Sequence, residues 1–137
     1  MHVLPYLFFN GRCEEALAFY SKAIGGKTEG LMRFSENPDQ STTTPATKDK
    51  VMHAQFKLGD STIFVSDGMA TGKTNFDGFS LTIAADSEVD AKRMFGALGD
   101  GGAVTMPLAE TFFAKSFGML KDKFGVNWML IVQKAPA

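Results

Sequence analysis

The chain has 137 residues, 45% of them apolar and 21% charged, which are the proportions of one ordinary globular domain. Lysine and arginine number 14 against 15 acidic residues, so the net charge of −1 excludes the basic surface that nucleic acid or an anionic membrane requires. The one cysteine cannot form an internal disulfide, and no apolar run is long enough to span a membrane. We therefore expect a cytoplasmic protein whose partners include neither nucleic acid nor a membrane.

A strand and a helix come first in the predicted chain order. Residues 3–9 are strand-forming and end at a turn signal, and residues 14–26 are typical of an amphipathic helix. Leu17, Tyr20 and Ile24 follow one another at i, i+3 and i+7, so they share one face of that helix. We expect this face to be buried.

Three strands complete the first half of the chain. They are predicted over 27–34, 51–58 and 61–67, and the last two are joined by a connection of hairpin length. Residues 35–50 are polar, contain two prolines and are too long for a tight turn. A loop of this kind is either a functional lid or poorly ordered.

The second half repeats this order after a glycine-rich linker at 68–78. Residues 88–99 predict a helix that begins with the capping-box pair Ser87 and Asp90. Pro107 indicates an edge or bulged position for the strand that contains it. The expected core positions of the helix are Val89, Met94, Ala97 and Leu98. The predicted strands cover 79–85, 103–109, 112–120 and 127–134.

The order of elements predicts an α+β fold made of two paired βαβββ modules. The helical stretches 14–25 and 88–99 both end in Ala, then Ile or Leu, then Gly, which suggests an internal repeat. The modules cover 1–67 and 79–134 of a single domain over 1–137. Side by side they would form an open, curved mixed sheet with the helices outside and a cleft within. Clefts of this kind are common small-molecule sites.

Three stretches carry a resemblance to a known family: HAQFKLGDSTIFVSD (53–67), AETFFAKSFG (109–118) and DKFGVNWM (122–129). Together with PYLFFNGRCEEALAFY near the start, they resemble the PhnB/YjdN-like branch of the vicinal oxygen chelate superfamily. That superfamily also contains glyoxalases, bleomycin-resistance proteins and extradiol dioxygenases. The resemblance implies the glyoxalase/bleomycin resistance-like fold with two paired modules, a homodimer, and a small-molecule site between the modules.

Some members of this branch carry the description 3-demethylubiquinone methyltransferase. The sequence argues against that activity, because a nucleotide-type cofactor fold needs a G-x-G-x-x-G turn after its first strand. Here the first predicted strand runs into Asn10, Gly11 and Arg12 instead.

The metal site of the superfamily is a further expectation that the resemblance raises. Metal-dependent members use four His, Glu or Gln ligands from the first and last strands of the two modules. Alignment of the strands places these positions on or near Pro5, Phe64, Ser80 and Met129. Neither these side chains nor their neighbours form a good donor set for a divalent ion, so we expect no metal and no other cofactor.

His53 and Glu110 are the candidate acid–base residues. The imidazole would be useful as a base in a cleft, and the alternative for His53 is an ordinary surface position on a strand. A carboxylate among aromatic rings suits a general base, and the alternative for Glu110 is a solvated loop acid above core phenylalanines. Other residues expected near a ligand are Phe64, Ser80, Thr111, Phe113, Lys115 and Trp128, although Trp128 would equally suit a core.

Structural roles are expected for two aspartates and the cysteine. The sequence Asp122-Lys123-Phe124-Gly125 predicts a tight turn, and Asp67 is expected to cap the loop that follows it. Arg12 beside Cys13 would modestly favour the thiolate, but no base lies nearby in the sequence, so a nucleophilic role is not expected.

The abundance of thirteen phenylalanines and eight methionines bears on function. Such side chains adapt to apolar and aromatic shapes, so we expect a metal-free dimer that binds a small apolar or aromatic molecule in the cleft. The alternative is a metal-dependent or acid–base enzyme of the glyoxalase/dioxygenase type. A third possibility, a partner-binding module, would require a large exposed apolar patch.

Overall fold

The computed structural model describes residues 1–69 and 72–135, and it divides the chain into two compact units. The first unit ends at Thr74 and the second begins at Asn75, inside the segment 68–78 that the sequence indicates as a linker. Within the described ranges, no helix is long and apolar enough to cross a membrane.

The first unit contains a four-stranded mixed sheet and one α-helix. Its elements are β1 (Tyr6–Phe8), α1 (Cys13–Ile24), β2 (Lys27–Arg33), a 3₁₀ turn (Phe34–Glu36), β3 (Val51–Leu58) and β4 (Ser61–Ser66). The strand order is β1-β4-β3-β2, in which β1 runs parallel to β4 and the other neighbours are antiparallel. The predicted order of elements is confirmed. Strand β1 is shorter than predicted because only three of its residues pair with β4.

The second unit repeats the same architecture. Its elements are β5 (Leu81–Ala84), α2 (Glu88–Leu98), β6 (Ala103–Ala109), β7 (Ala114–Lys121) and β8 (Asn127–Gln133). The strand order β5-β8-β7-β6 matches that of the first sheet position by position, and β5 again runs parallel to β8. The α+β class and the two βαβββ modules are therefore confirmed, and their strands form two four-stranded mixed sheets.

Helix α1 buries the face that its periodicity predicts. Leu17, Tyr20 and Ile24 are 3%, 3% and 5% exposed. The Tyr20 ring packs on Phe56 of β3, with 6.1 Å between ring centroids. The helix ends at Gly25, whose φ of 78° lies in the left-handed region that favours glycine.

Helix α2 shows one error in the predicted core. The Ser87 hydroxyl accepts a hydrogen bond from the Asp90 amide at 3.1 Å, so the predicted cap is confirmed. Val89, however, is 78% exposed, and the prediction that it lies in the core was wrong. It precedes Ala91 by two residues and therefore lies about 200° around the helix from the buried face. The buried positions are Ala91, Met94, Phe95 and Leu98.

The connection between β2 and β3 is a folded loop. The backbone carbonyl of buried Phe34 accepts hydrogen bonds from Gln40 Nε2 at 3.2 Å and Thr43 Oγ1 at 3.1 Å. The Phe34 amide donates to the carbonyl of Lys50 at 3.1 Å, which closes the base of the loop. Thr47 is buried and bonded to Thr44. The hydrogen bonds around Phe34 thus tie the start of this loop to Gln40, Thr43 and Lys50.

Strand β6 lies at the edge of the second sheet, as Pro107 predicts. The pairing of β6 with β7 shifts register on both sides of Met106, next to this proline. Proline lacks an amide hydrogen, so an irregular edge is the part of a sheet that tolerates it.

Two buried aspartates organise the loops of the two units. Asp67 accepts hydrogen bonds from the amides of Gly11, Cys13 and Val51 at 2.7, 2.8 and 2.9 Å. It thus joins the start of α1 to the start of β3. The amides at a helix start lack partners within the helix, so a carboxylate there satisfies them.

Asp122 holds the predicted turn in the second unit. One carboxylate oxygen accepts from the amides of Phe124 at 2.8 Å and Val126 at 3.1 Å, and the other accepts from Trp128 Nε1 at 2.8 Å. Gly125 has a φ of 92°, as the turn prediction requires. The tight turn is confirmed.

The Asp67→Asn substitution tests how much the three amides depend on this carboxylate. Asparagine keeps one oxygen and places an NH₂ group against a buried amide, so we expect the free energy of unfolding to fall by about 2 to 3 kcal/mol. Urea unfolding followed by circular dichroism measures the change. Asp60→Asn, at an exposed turn, is the matched control and should leave the midpoint unchanged. Equal midpoints for all three proteins would contradict this role of Asp67.

Candidate functional site

One face of the first sheet carries an aromatic cluster. Leu7 and Val65 are buried on the side of α1, so the residues that alternate with them point to the opposite face. The register of β1 and β4 places Tyr6 beside Phe64 on that opposite face. The first-sheet aromatic cluster consists of Tyr6, Phe8, His53 and Phe64.

Tyr6 lies in contact with each of the other three rings of this cluster. Tyr6 stacks on Phe8 with 4.9 Å between centroids and 16° between planes, and it meets Phe64 edge-on at 5.8 Å. The His53 ring lies 5.3 Å from Phe64 and 5.7 Å from Tyr6. Tyr6 is 42% exposed and Phe8 is 49% exposed. The cluster therefore presents aromatic surface that no described part of the chain covers.

A hydrogen bond between Tyr6 and His53 adds polar chemistry to this surface. Tyr6 Oη lies 3.0 Å from His53 Nδ1. Burial raises the pKa of the Tyr6 hydroxyl, and a hydrogen bond with the Ser66 side chain partly offsets that rise. The phenol therefore keeps its proton at neutral pH.

The sequence identified half of this cluster. It named His53 and Phe64 and missed Tyr6 and Phe8, because it aligned Pro5 rather than Tyr6 with Phe64. The available signal was alternation: Leu7 and Phe9 are buried, so Tyr6 and Phe8 share the other face.

The register of the two sheets changes two of the positions that the sequence aligned with the superfamily's metal ligands. Tyr6, not Pro5, pairs with Phe64, and Thr82, not Ser80, pairs with Met129. A phenol, a phenyl ring, a hydroxyl and a thioether are a poor donor set for a divalent ion. Across residues 1–69 and 72–135, no group of three His, Cys, Asp or Glu is placed to hold one.

Trp128 belongs to the core of the second unit. It is 2% exposed, and its indole N–H is bonded to Asp122. Its register partner Leu120 is 1% exposed. This burial is the core position that the sequence offered for Trp128 beside a place near a ligand.

The other predicted residues of the second unit lie around the connection between β6 and β7. Glu110 is exposed, and its carboxylate lies 3.8 Å from Lys134 Nζ. This position matches the alternative given above, in which Glu110 is a solvated loop acid. Thr111 Oγ1 accepts hydrogen bonds from the amides of Phe113 and Ala114 and so shapes the turn. Phe113 is 46% exposed and packs edge-on against its aromatic neighbours. Lys115 is exposed and Ser80 is half-buried.

Cys13 is buried at the start of α1. It is 0% exposed, and burial together with the nearby Asp67 carboxylate raises the pKa of its thiol. The expectation that Arg12 favours the thiolate was wrong, because burial and a negative neighbour dominate. The absence of a nucleophilic role for Cys13, expected from the sequence, agrees with this environment.

Comparison with known proteins places the chain in a family. Residues 1–131 match the model of the family described as 3-demethylubiquinone-9 3-methyltransferase. YjdN from Escherichia coli (strain K12) is 34% identical over 142 residues, which span 98% of this chain and 97% of YjdN. The chain belongs to this PhnB/YjdN-like family.

Solved structures support the fold of this PhnB/YjdN-like protein. Protein PA1353 from Pseudomonas aeruginosa has a TM-score of 0.87 and 39% identity, with 98% of this chain and 99% of that chain covered. A glyoxylase/bleomycin resistance protein/dioxygenase domain from Frankia sp. EAN1pec has a TM-score of 0.66 and 18% identity, with 97% and 95% covered. The second likeness shows the fold alone, and it is the fold that the resemblance implied.

The thiol of this PhnB/YjdN-like protein gives a direct test of the core around Asp67. Because Cys13 is buried and its thiol pKa is raised, we expect the native protein to show almost no reaction with Ellman's reagent. The urea-unfolded protein should show the one thiol per chain that the sequence contains. Rapid reaction of native protein would contradict this burial, and Cys13→Ala supplies the blank.

Proposed function

We propose that this protein binds a small aromatic molecule, without a metal ion, on the first-sheet aromatic cluster. The observation that carries the proposal is the contact of four rings within 4.9 to 5.8 Å on a face that stays partly exposed. Aromatic side chains gain most by stacking on, or meeting the edge of, another ring. A planar ligand would therefore find two geometries of contact on one surface.

The donor chemistry supports the metal-free part of the proposal. The resemblance aligns the ligand positions of metal-dependent members with Pro5, Phe64, Ser80 and Met129, and the residues that pair with Phe64 and Met129 are Tyr6 and Thr82. This set favours apolar contact over coordination of a divalent ion.

An acid–base enzyme is the alternative function, and the Tyr6–His53 hydrogen bond favours it. A tyrosine and a histidine in contact are able to move a proton to or from a bound molecule. Turnover of the bound molecule would distinguish the enzyme from the binding protein. Glu110 supports this alternative less well, because its carboxylate is exposed beside Lys134.

We propose that this chain does not act as a methyltransferase, although its family is described as one. The turn after β1 contains Asn10, Gly11 and Arg12, and Gly11 donates its amide to Asp67 at 2.7 Å. That amide is therefore bonded within the chain and is not directed at a ligand. A rise in melting temperature with S-adenosylmethionine would contradict this part of the proposal.

The Phe8→Ala substitution tests the proposed site. We expect the affinity for 2-naphthoate, measured by isothermal titration calorimetry, to fall about tenfold because a stacked ring is lost. Phe113→Ala is the matched control, since Phe113 is exposed to a similar degree and lies in the second unit. EDTA should leave the affinity of wild-type protein unchanged. Equal affinities for wild type and Phe8→Ala, or no binding at all, would overturn the proposal.

We also propose that the protein is a homodimer in the cytoplasm. The family resemblance supports the dimer, as do the exposed side chains of Val104 (51%) and Met106 (45%) on edge strand β6. Sedimentation equilibrium at micromolar concentration should give twice the chain mass of 14.8 kDa. A single species at 14.8 kDa would contradict the dimer.

A further inference from the structure

We infer that the aromatic molecule bound by the cluster carries an oxygen that accepts a hydrogen bond, and that His53 Nε2–H donates to it. The favoured ligand class is an aromatic carboxylate or a similar oxygen-bearing aromatic. This inference rests on the proposed function, and it adds a polar requirement that aromatic surface alone does not impose.

The first step is the direction of the Tyr6–His53 hydrogen bond. Tyr6 Oη and His53 Nδ1 lie 3.0 Å apart. A phenol O–H is a stronger donor than the N–H of a neutral imidazole, and an imidazole nitrogen is a stronger acceptor than a phenol oxygen, so the phenol donates its proton to Nδ1. Nδ1 of His53 is therefore the acceptor.

The second step is the tautomer that follows from this direction. A neutral imidazole has one acceptor nitrogen and one N–H donor, so an acceptor Nδ1 places the proton on Nε2. Among residues 1–69 and 72–135, Tyr6 is the hydrogen-bond partner that the structure gives this imidazole. Nε2–H is thus available to a ligand that stacks on the neighbouring rings.

The third step is the charge of the face that holds the cluster. Pairing places Lys27 opposite Lys57 and Glu29 opposite Gln55, on the same face as His53. Glu29 Oε2 lies 3.5 Å from Lys57 Nζ, and this ion pair offsets the charge of Lys57. The positive charge of Lys27 is additional to the pair. An oxygen with negative charge is favoured there over an ammonium group.

Three matched probes test the ligand class. We compare three compounds that share one ring system. The carboxylate of 2-naphthoate accepts hydrogen bonds, naphthalene has no polar group, and the ammonium group of 2-naphthylmethylammonium only donates. We expect 2-naphthoate to bind about tenfold more tightly than the other two, the contribution of one hydrogen bond to a charged group. Equal affinity for the three would overturn the inference while leaving aromatic binding intact.

Two substitutions of His53 locate the donor. His53→Asn places an amide near the Nδ1 position and nothing at the Nε2 position, whereas His53→Gln places its NH₂ group near the Nε2 position. We expect His53→Asn to lose about tenfold in affinity for 2-naphthoate and His53→Gln to stay within about threefold of wild type. Each variant removes one ring of the cluster, so both should lose the same small part of the wild-type affinity for naphthalene, and wild-type circular dichroism spectra should show that both fold. Retention of affinity by His53→Asn would overturn the role of Nε2–H.

A ligand-free measurement tests the tautomer separately. Long-range proton–nitrogen NMR spectra at pH 8 distinguish the protonated from the unprotonated ring nitrogen. We expect Nε2 to carry the proton, and Tyr6→Phe to mix the two tautomers. A proton on Nδ1 would overturn the inference whatever the probes show. If 2-naphthoate fails to bind in a Phe8-dependent manner, the proposed function itself fails, which is a different result from aromatic binding without preference.

Discussion

The carboxylate of Asp67 is the contact on which the first unit depends. It lies at the end of β4 and accepts hydrogen bonds from three backbone amides. Two belong to Gly11 and Cys13, in the turn after β1 and at the start of α1, and the third belongs to Val51, the first residue of β3. A second bond between the same segments runs from Lys50 Nζ, just before β3, to the Gly11 carbonyl at 3.2 Å. Because β1 has just three paired residues, a link from β4 to the chain that follows β1 holds that short strand in register. The position of Tyr6 beside Phe64 and His53 is a consequence of that register.

The two units have the same strand order, but their buried residues and their exposed residues differ. In the first, a buried carboxylate joins a helix start to a strand, and in the second Asp122 closes a hairpin turn and holds the indole of Trp128. The face opposite the helix carries rings and a histidine in the first sheet. The corresponding positions of the second sheet include Thr82, Met129 and Met119.

Most of the fold was predictable from the sequence because periodicity acts locally. The bounds of β3 and β6 were predicted to the residue, and the buried face of α1 followed from its spacing. Pairing between distant strands was not predictable in the same way. Whether Pro5 or Tyr6 lies beside Phe64 is decided by bonds such as that from the Phe64 amide to the Pro5 carbonyl, at 2.9 Å. A shift of one residue turns a strand over, and for this reason half of the aromatic cluster was missed.

The loop between β2 and β3 has a further consequence for how this fold varies. Its base is closed by the paired backbones of Phe34 and Lys50, and the side chains of Gln40 and Thr43 bond to the carbonyl of Phe34. The two ends of the loop are therefore joined beside the strands that they connect. Lengthening a loop whose ends are already joined adds little closure entropy. Insertions, deletions or a grafted peptide between residues 37 and 46 are thus tolerable to the sheet, and relatives are free to differ there in length without altering the strands that hold the aromatic cluster.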